Sequence, residues 1–186
     1  MSRVPLVDPA QTSGSVRTSL DRIGNAFGTV PNMFRAVANS PAALQSMWGA
    51  FGAFSTGSLG PALSEQLAVA VADRNNCRYC LAAHTALGLG AGVSEQGMRD
   101  AQGAQADDPR VEALLNFAVD LVDRRGAVGA EDVQRLREHG WSDGEIVEAI
   151  AQVALNLFTN YINIALDVPV DFPAVPLSAE SQAAAS

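Results

Sequence analysis

The sequence of 186 residues contains no lysine, and all 12 of its basic side chains are arginine. This absence excludes mechanisms that use a lysine Schiff base or an amine nucleophile. No stretch approaches the roughly 18 uninterrupted apolar residues that a membrane-spanning helix needs. The first 15 residues also lack a continuous apolar segment, so we expect neither a secretory signal nor a membrane anchor. These absences predict a soluble protein of the cytoplasm that has no membrane partner.

Charged and aromatic residues are both scarce, at 17% and 6% of the chain. The net charge of -8 predicts no nucleic-acid partner, because an acidic surface repels phosphates. Abundant alanine and leucine favour packed helices over a sheet. We therefore predict an all-α fold, a single-domain helical bundle over residues 1–186 with extended or flexible termini at about 1–14 and 168–186. The apolar fraction of 48% is high for so few charges and predicts that some helix faces are buried between subunits of a homo-oligomer.

Several helix boundaries are marked by capping residues. Ser40-Pro41 combines an N-cap with a proline at the first helical position, Asp107-Asp108-Pro109 begins a long amphipathic helix, and Ser142 with Glu145 forms a capping box. Ser64 is predicted to cap a helix that begins at Glu65. The last helix is predicted from the capping box to about Leu166, with apolar residues Ile146, Ala149, Ile150, Val153, Leu157 and Tyr161 on its packed face.

The rarest side chains of the sequence lie close together. Both cysteines, Cys77 and Cys80, are followed by His84, one of only two histidines, and Glu65 lies 12 residues before the first cysteine. A dithiol, an imidazole and a carboxylate can together form a thiolate, attack an electrophilic oxygen or sulfur, and close a disulfide. In a reducing cytosol, such a pair is more often catalytic, redox-sensing or metal-binding than a permanent crosslink.

Helical spacing puts Cys77, Cys80 and His84 on one face, with the imidazole in reach of Cys80. If Asn76 is the N-cap, Cys77 lies in the first turn, where the helix dipole makes it the more acidic thiol. Proximity to His84 instead favours Cys80 as the reactive thiol. A turn at residues 74–76 can return Glu65 to either Cys77 or His84, and the residues alone leave both questions open.

The spacing of these four residues resembles the alkylhydroperoxidase D branch of the carboxymuconolactone decarboxylase-like superfamily. The match is strongest from Ser64 to about Gly90, and two flanking stretches, residues 28–34 and 160–163, resemble its longer peroxidase-related members. The resemblance implies an all-helical fold that assembles into homotrimers or homohexamers. It also implies a peroxidase that uses a cysteine pair, with no cofactor and no metal, and that needs an external dithiol or protein reductant.

The resemblance also implies a role for each site residue. Cys80 would be the peroxidatic thiol that attacks a small hydroperoxide substrate, and Cys77 would resolve the sulfenic acid as a disulfide. Glu65 and His84 would relay protons. The chain departs from well-studied members at Tyr79, where a second histidine is often found, which implies either a shorter relay with slower turnover or a different electrophile.

Three other interpretations of the array stay open. The cysteines could be inert core residues, or the four side chains could bind zinc or sense oxidation without catalysis. A carboxymuconolactone-type decarboxylase is a further alternative, but its true members do not rely on a cysteine pair.

Polar residues outside the array have simpler interpretations. We interpret His139 as a cation at a helix C-terminus, with no catalytic role. Asn156, Asn160 and Asn163 interrupt an apolar helix, and could line a pocket or form hydrogen bonds across an oligomer interface. We favour interface packing for these asparagines.

Overall fold

The chain folds into an α-helical bundle, which confirms the predicted all-α class. The computed structural model describes residues 1–180, and no strand occurs in that range. A short 3-10 helix (Pro9–Gln11) precedes the α-helices, which are α1 (Gly14–Phe27), α2 (Asn32–Val37), α3 (Pro41–Phe54), α4 (Gly60–Arg74), α5 (Arg78–Gly90), α6 (Glu95–Gln102), α7 (Pro109–Asp123), α8 (Ala130–Glu138) and α9 (Asp143–Leu166). Helix α4 lies at the centre, where it packs against α5, α6, α7 and α9.

Three of the predicted helix starts are confirmed by their hydrogen bonds. The Ser40 side chain accepts from the backbone N–H of Ala43 at the start of α3. Asp108 caps α7, and Ser142 and Glu145 form the reciprocal capping box of α9. Local side-chain chemistry therefore determines where these helices begin.

Two predicted helix starts are wrong. Helix α4 begins at Gly60, one turn before Ser64, so Ser64 does not cap it and Glu65 lies inside the helix. Helix α5 is capped by Cys77, while Asn76 adopts a left-handed conformation with φ of 56° in the turn before it. Asparagine tolerates this conformation better than most residues, which allows a very tight connection between α4 and α5.

The packed face of α9 differs from the predicted one. Ile146, Ala149 and Val153 are buried as expected, but Ile150 is 40% exposed and Tyr161 is 61% exposed. The buried face instead turns toward the polar residues Gln152, Asn156, Thr159, Asn160 and Asn163. Helix α9 is also long and apolar enough to cross a membrane by length and composition, a test that core helices of soluble proteins pass as well, so it is weak support for a membrane span.

The chain after α9 runs back across the bundle as an extended segment, residues 168–176, which we call the C-terminal strap. The Asp171 carboxylate accepts from the backbone N–H of Asn32 at 2.7 Å, and the Asn32 side chain donates to the Pro169 carbonyl at 3.1 Å. The other predicted irregular terminus, residues 1–14, includes the 3-10 helix and is tied to α9 by the Arg3 N–H, which donates to the Leu166 carbonyl at 2.7 Å. The end of the predicted C-terminal tail, residues 181–186, lies outside the described residues.

Candidate active site

Helices α4 and α5 form a hairpin that carries all four predicted site residues. The connection closes through the N–H of Asn76, which donates to the Asp73 carbonyl at 2.9 Å, and the N–H of Cys77, which donates to the Ala72 carbonyl at 2.8 Å. Because the turn is so short, α5 packs directly back along α4. Residues 19 positions apart in sequence can therefore meet across the hairpin.

Glu65 and His84 form a direct pair across this hairpin. The Glu65 Oε2 atom lies 2.6 Å from His84 Nδ1, so the carboxylate fixes the ring through one nitrogen and leaves Nε2 for other partners. Gly88 allows this close packing, because a Cβ atom there would lie 3.3 Å from Glu65 Cβ and would overlap the Met98 side chain. Burial opposes a charge on His84, but Glu65 raises its pKa above the ordinary value. Of the two partners that the sequence left open for Glu65, the structure selects His84.

The two cysteines are both buried and both free, and their acidities differ. The backbone N–H of Cys80 donates to the Cys77 sulfur at 3.4 Å, as expected when Cys77 caps the helix. The hydrogen bond with Cys80, reinforced by burial, raises the pKa of Cys77. Burial would raise the pKa of Cys80 too, but the hydrogen bond from Cys77 and the charge of His84 lower it to about 7. The expectation from the helix dipole that Cys77 is the more acidic thiol is wrong, because the hydrogen bond with Cys80 and the burial of Cys77 outweigh the effect of the backbone N–H groups at the helix start.

Asparagine side chains of α9 complete the surroundings of Cys80. Asn163 Nδ2 donates to the Cys80 sulfur at 3.2 Å, and Asn163 and Asn160 both contribute to lowering the Cys80 pKa. Asn160 Oδ1 accepts from Asn75 Nδ2 at 2.9 Å, which connects α9 to the turn of the hairpin. Asn160 Nδ2 and Asn163 Oδ1 are buried without a hydrogen-bond partner among residues 1–180.

Sequence reasoning gave these asparagines too little weight, because it favoured interface packing over pocket lining. Asn160 and Asn163 are 0% and 4% exposed within a single chain, so they point into the bundle. The signal was their spacing of three and four residues with Asn156, which matches a buried helix face as well as an interface face. Because these polar residues recur at the spacing of a buried helix face, the pattern could have identified the asparagines as partners of a buried site.

Tyr79 packs against helix α2 and the C-terminal strap. Its hydroxyl accepts from the backbone N–H of Met33 at 3.1 Å, and its ring meets the Phe172 ring edge-on with centroids 5.9 Å apart. Burial raises the pKa of Tyr79, and the nearby Asp171 carboxylate raises it further. The residue therefore joins α5 to α2 and to the C-terminal strap, and it stays protonated at neutral pH.

Cys80 and His84 line an apolar cavity of about 40 Å³. Its wall is largely aromatic, formed by the rings of Phe27, Phe34, Phe51, Tyr79 and Phe172. On its other side, His84 borders a second cavity of about 230 Å³, which Glu65, Ser64 and Gln152 make more polar. The imidazole thus lies between an apolar cavity that Cys80 lines and a more polar cavity that Glu65 lines.

Within residues 1–180, no group of three or more His, Cys, Asp or Glu side chains is arranged to hold a metal ion. Glu65 binds the His84 ring directly, and the Cys77 sulfur accepts from the Cys80 backbone. These contacts hold the side chains to one another.

Sequence comparison identifies a family for the central part of the chain. The family model of the carboxymuconolactone decarboxylase family matches residues 41–124, which include the whole α4–α5 hairpin and its four site residues. A comparison with curated proteins gave no significant match.

Several solved structures share the fold. One is described as an alkylhydroperoxidase AhpD core, an uncharacterized peroxidase-related protein from Ralstonia eutropha JMP134, with 25% identity, a TM-score of 0.84, and coverage of 91% of this chain and 92% of that chain. A second is an uncharacterized peroxidase-related protein from Silicibacter sp. TM1040, with 22% identity, a TM-score of 0.80, and coverage of 90% and 91%. A third is a cysteine-to-alanine variant of the debrominase Bmp8 in complex with 2,3,4-tribromopyrrole, with 19% identity, a TM-score of 0.76, and coverage of 92% and 94%.

The chain has the all-α fold of solved peroxidase-related proteins, and its cysteine pair lies within the segment that the family model matches. Together, the family match and the shared fold support assignment of the chain to the alkylhydroperoxidase D/carboxymuconolactone decarboxylase-like superfamily, which confirms the resemblance predicted from the sequence. A debrominase with the same fold means that the fold alone does not specify the reaction. The function has to be argued from the site.

Proposed function

We propose that the chain is a thiol-dependent peroxidase that reduces alkyl hydroperoxides with Cys80 as the attacking thiol. The observation that carries this proposal is a single buried thiol with a lowered pKa, at the wall of an apolar cavity and beside an imidazole. Such a thiol is a thiolate in a large fraction of molecules at neutral pH, and the thiolate is the nucleophile. Membership of a superfamily with peroxidase-related members supports the same reaction.

In the first step, the Cys80 thiolate attacks the terminal oxygen of the hydroperoxide. An S–O bond forms, the O–O bond breaks, and the alkoxide leaves with a proton from the His84 imidazolium. The products are Cys80 sulfenic acid, an alcohol and neutral His84. The sulfur is oxidised by two electrons and the peroxide is reduced by two. Glu65 assists because it raises the pKa of His84, so that the ring is protonated and can donate this proton to the leaving alkoxide.

In the second step, Cys77 attacks the Cys80 sulfenic acid, and a disulfide and one water molecule form. The raised pKa of Cys77 keeps it protonated until Cys80 is oxidised, so it does not compete for the peroxide. His84, neutral after the first step, can accept the proton that Cys77 loses and deliver it to the departing hydroxide. An external dithiol or protein reductant then returns both cysteines to thiols.

The two cavities separate the substrate from the route for protons. The alkyl hydroperoxide enters the apolar chamber at Cys80, while Glu65 and the far side of His84 face the polar chamber. Protons can exchange with solvent through the second cavity, which both Glu65 and His84 line. This arrangement gives a relay of two residues, His84 and Glu65, with no part for Tyr79.

The proposal includes a location and an assembly. A cycle that must be reset by a dithiol suits the reducing cytoplasm. We also propose a homotrimer or homohexamer, which the exposed apolar side chains of Val147, Ile150, Tyr161 and Ile164 along α9 support. Sedimentation equilibrium of the full chain tests this assembly, and a monomer at micromolar concentration would contradict it.

A redox sensor without turnover and a zinc-binding protein are the alternatives from another class. A decarboxylase is disfavoured because the site is built around a sulfur nucleophile.

The test is to incubate reduced protein with ethyl, tert-butyl and cumene hydroperoxides and excess dithiothreitol, and to follow peroxide loss and bound zinc. We expect many turnovers per chain without zinc. Oxidation of one dithiol per chain without further peroxide loss would identify a sensor, and one tightly bound zinc with unreactive thiols would identify a metal site.

Asn163 supplies a separate prediction. Asn163→Ala removes the amide that donates to the Cys80 sulfur. A hydrogen bond to a charged group contributes about 1.5 kcal/mol, so the pKa of Cys80 should rise by about one pH unit. The measurement is the rate of Cys80 alkylation by iodoacetamide against pH, followed by peptide mass spectrometry.

Asn156→Ala is the matched control, since Asn156 is a buried asparagine of the same helix whose amide donates to the Gln152 carbonyl at 3.0 Å. It should leave the midpoint of the profile in place. An unchanged midpoint in Asn163→Ala, or an equal change in both variants, would contradict the role given to Asn163.

A further inference from the structure

The apolar cavity at Cys80 is small. An engineered cavity that binds benzene has a volume of about 150 Å³, whereas this cavity has about 40 Å³. Its wall offers almost no polar group besides the thiol and the imidazole, so an alkyl group gains from entering and a hydrophilic group does not. In the described conformation, the chamber therefore fits a small aliphatic group but not an aromatic ring.

One wall of this cavity is built differently from the others. Phe27, Phe34 and Phe51 belong to helices α1, α2 and α3, and Phe34 contacts the other two rings with centroids 5.8 and 5.9 Å apart. Phe172 is on the C-terminal strap, outside any helix, and packs edge-on against Tyr79. The helical rings form a fixed back wall, while Phe172 forms a wall of its own on an extended segment.

The strap holds Phe172 in place from both sides. On one side, Asp171 accepts from the N–H of Asn32, and the Asn32 side chain donates to the Pro169 carbonyl. On the other, Gln102 Nε2 donates to the Pro176 carbonyl at 3.0 Å. A ring supported in this way can limit the size of the chamber, and its apolar side chain offers no group that could transfer a proton or attack the substrate.

We infer that Phe172 is a specificity-determining residue that restricts the site to hydroperoxides with a small aliphatic group and keeps out bulky aromatic ones. The inference rests on the proposed peroxidase function for its substrate class. The size limit itself is a property of the cavity at Cys80, and it applies to any electrophile that has to occupy this cavity to react with the sulfur. It can therefore be measured separately from turnover.

The test compares Phe172→Ala and Phe172→Leu with the unchanged protein in two assays. The first is kcat/KM for ethyl and cumene hydroperoxides with dithiothreitol. The second is the rate of Cys80 alkylation by iodoacetamide and by N-phenylmaleimide, resolved from Cys77 by peptide mass spectrometry. Val170→Ala is the matched control, because Val170 is on the same strap and 43% exposed. Phe172→Leu keeps an apolar side chain, so it is a smaller change that preserves more of the packing of the strap.

We expect Phe172→Ala to raise the kcat/KM for cumene hydroperoxide relative to that for ethyl hydroperoxide by about 10-fold, a typical effect of pocket size. The rate of Cys80 alkylation by N-phenylmaleimide should rise by about the same factor relative to the rate with iodoacetamide. Phe172→Leu should give a smaller rise and Val170→Ala none. Unchanged ratios in Phe172→Ala, or an equal rise in Val170→Ala, would overturn the inference. A change in the alkylation ratio with no peroxide consumed by any variant would support the size limit and reject the peroxidase function.

Discussion

Replacement of Cys80 by serine is expected to abolish peroxide consumption, leaving less than about 0.1% of the original rate. Serine preserves the size of the side chain but offers no thiolate, and its hydroxyl is not acidic enough to attack a peroxide oxygen at neutral pH. Cys80 is the thiol with the lowered pKa and the cysteine that lines the apolar cavity. The measurement is peroxide loss with excess dithiothreitol, together with a check of folding by circular dichroism.

Cys77→Ser is the matched variant, and the proposed cycle predicts a different outcome for it. Cys80 should still react with one equivalent of hydroperoxide, but the sulfenic acid should persist and be trapped by dimedone, since the resolving thiol is gone. Full turnover in Cys80→Ser would show that the attacking sulfur is assigned wrongly. Dimedone labelling of Cys77 in the unchanged protein would lead to the same conclusion.

His84→Gln is expected to have the next largest effect. The charge of His84 lowers the pKa of Cys80, so its loss should move the midpoint of Cys80 alkylation from about 7 toward that of an ordinary thiol. The rate with hydroperoxide at pH 7 should fall by about 100-fold or more, because the leaving alkoxide also loses its proton donor. The loss of thiolate and the loss of the proton donor both lower the rate at pH 7. Raising the pH should restore only the part of the rate that is lost because less Cys80 is a thiolate.

Glu65→Gln should act in the same direction but less strongly. The amide can still contact the His84 ring, but the negative charge that raises the His84 pKa is lost. The ring then gives up its proton at lower pH, and Cys80 loses part of its stabilising charge. His139→Gln is the control, because His139 lies at the exposed end of α8, where its Nδ1 meets the Arg135 carbonyl at 2.8 Å. A pH profile unchanged in both Glu65→Gln and His84→Gln would remove these residues from the relay.

Much of the fold followed from local sequence signals. The caps at Ser40 and Ser142 and the helix start at Asp107-Asp108-Pro109 were correct, because an N-cap depends on a side chain and the backbone a few residues away. The errors at Ser64 and Asn76 have a local cause as well. Gly60-Pro61 starts α4 one turn earlier. Asn76 adopts the left-handed conformation in the turn before α5, so the next residue becomes the cap.

The site was only half predictable, for a physical reason. Cys77, Cys80 and His84 are neighbours on one helix, so their common face follows from helical periodicity. The contact of Asn163 with Cys80 joins residues 83 positions apart, and Phe172 reaches the cavity on an extended segment with no periodic pattern. Such contacts depend on the packing of the whole bundle, and a periodic pattern reports which face of a helix is buried, not what it is buried against.

The most direct test of the account is a single turnover without reductant. Reduced protein is mixed with one equivalent of ethyl hydroperoxide, and the ethanol formed and the state of both cysteines are measured by gas chromatography and peptide mass spectrometry. The account predicts one equivalent of ethanol and complete conversion to a Cys77–Cys80 disulfide, faster as the pH rises through about 7. Intact hydroperoxide beside two free thiols at pH 8 would contradict the claim that Cys80 is an activated peroxidatic thiol.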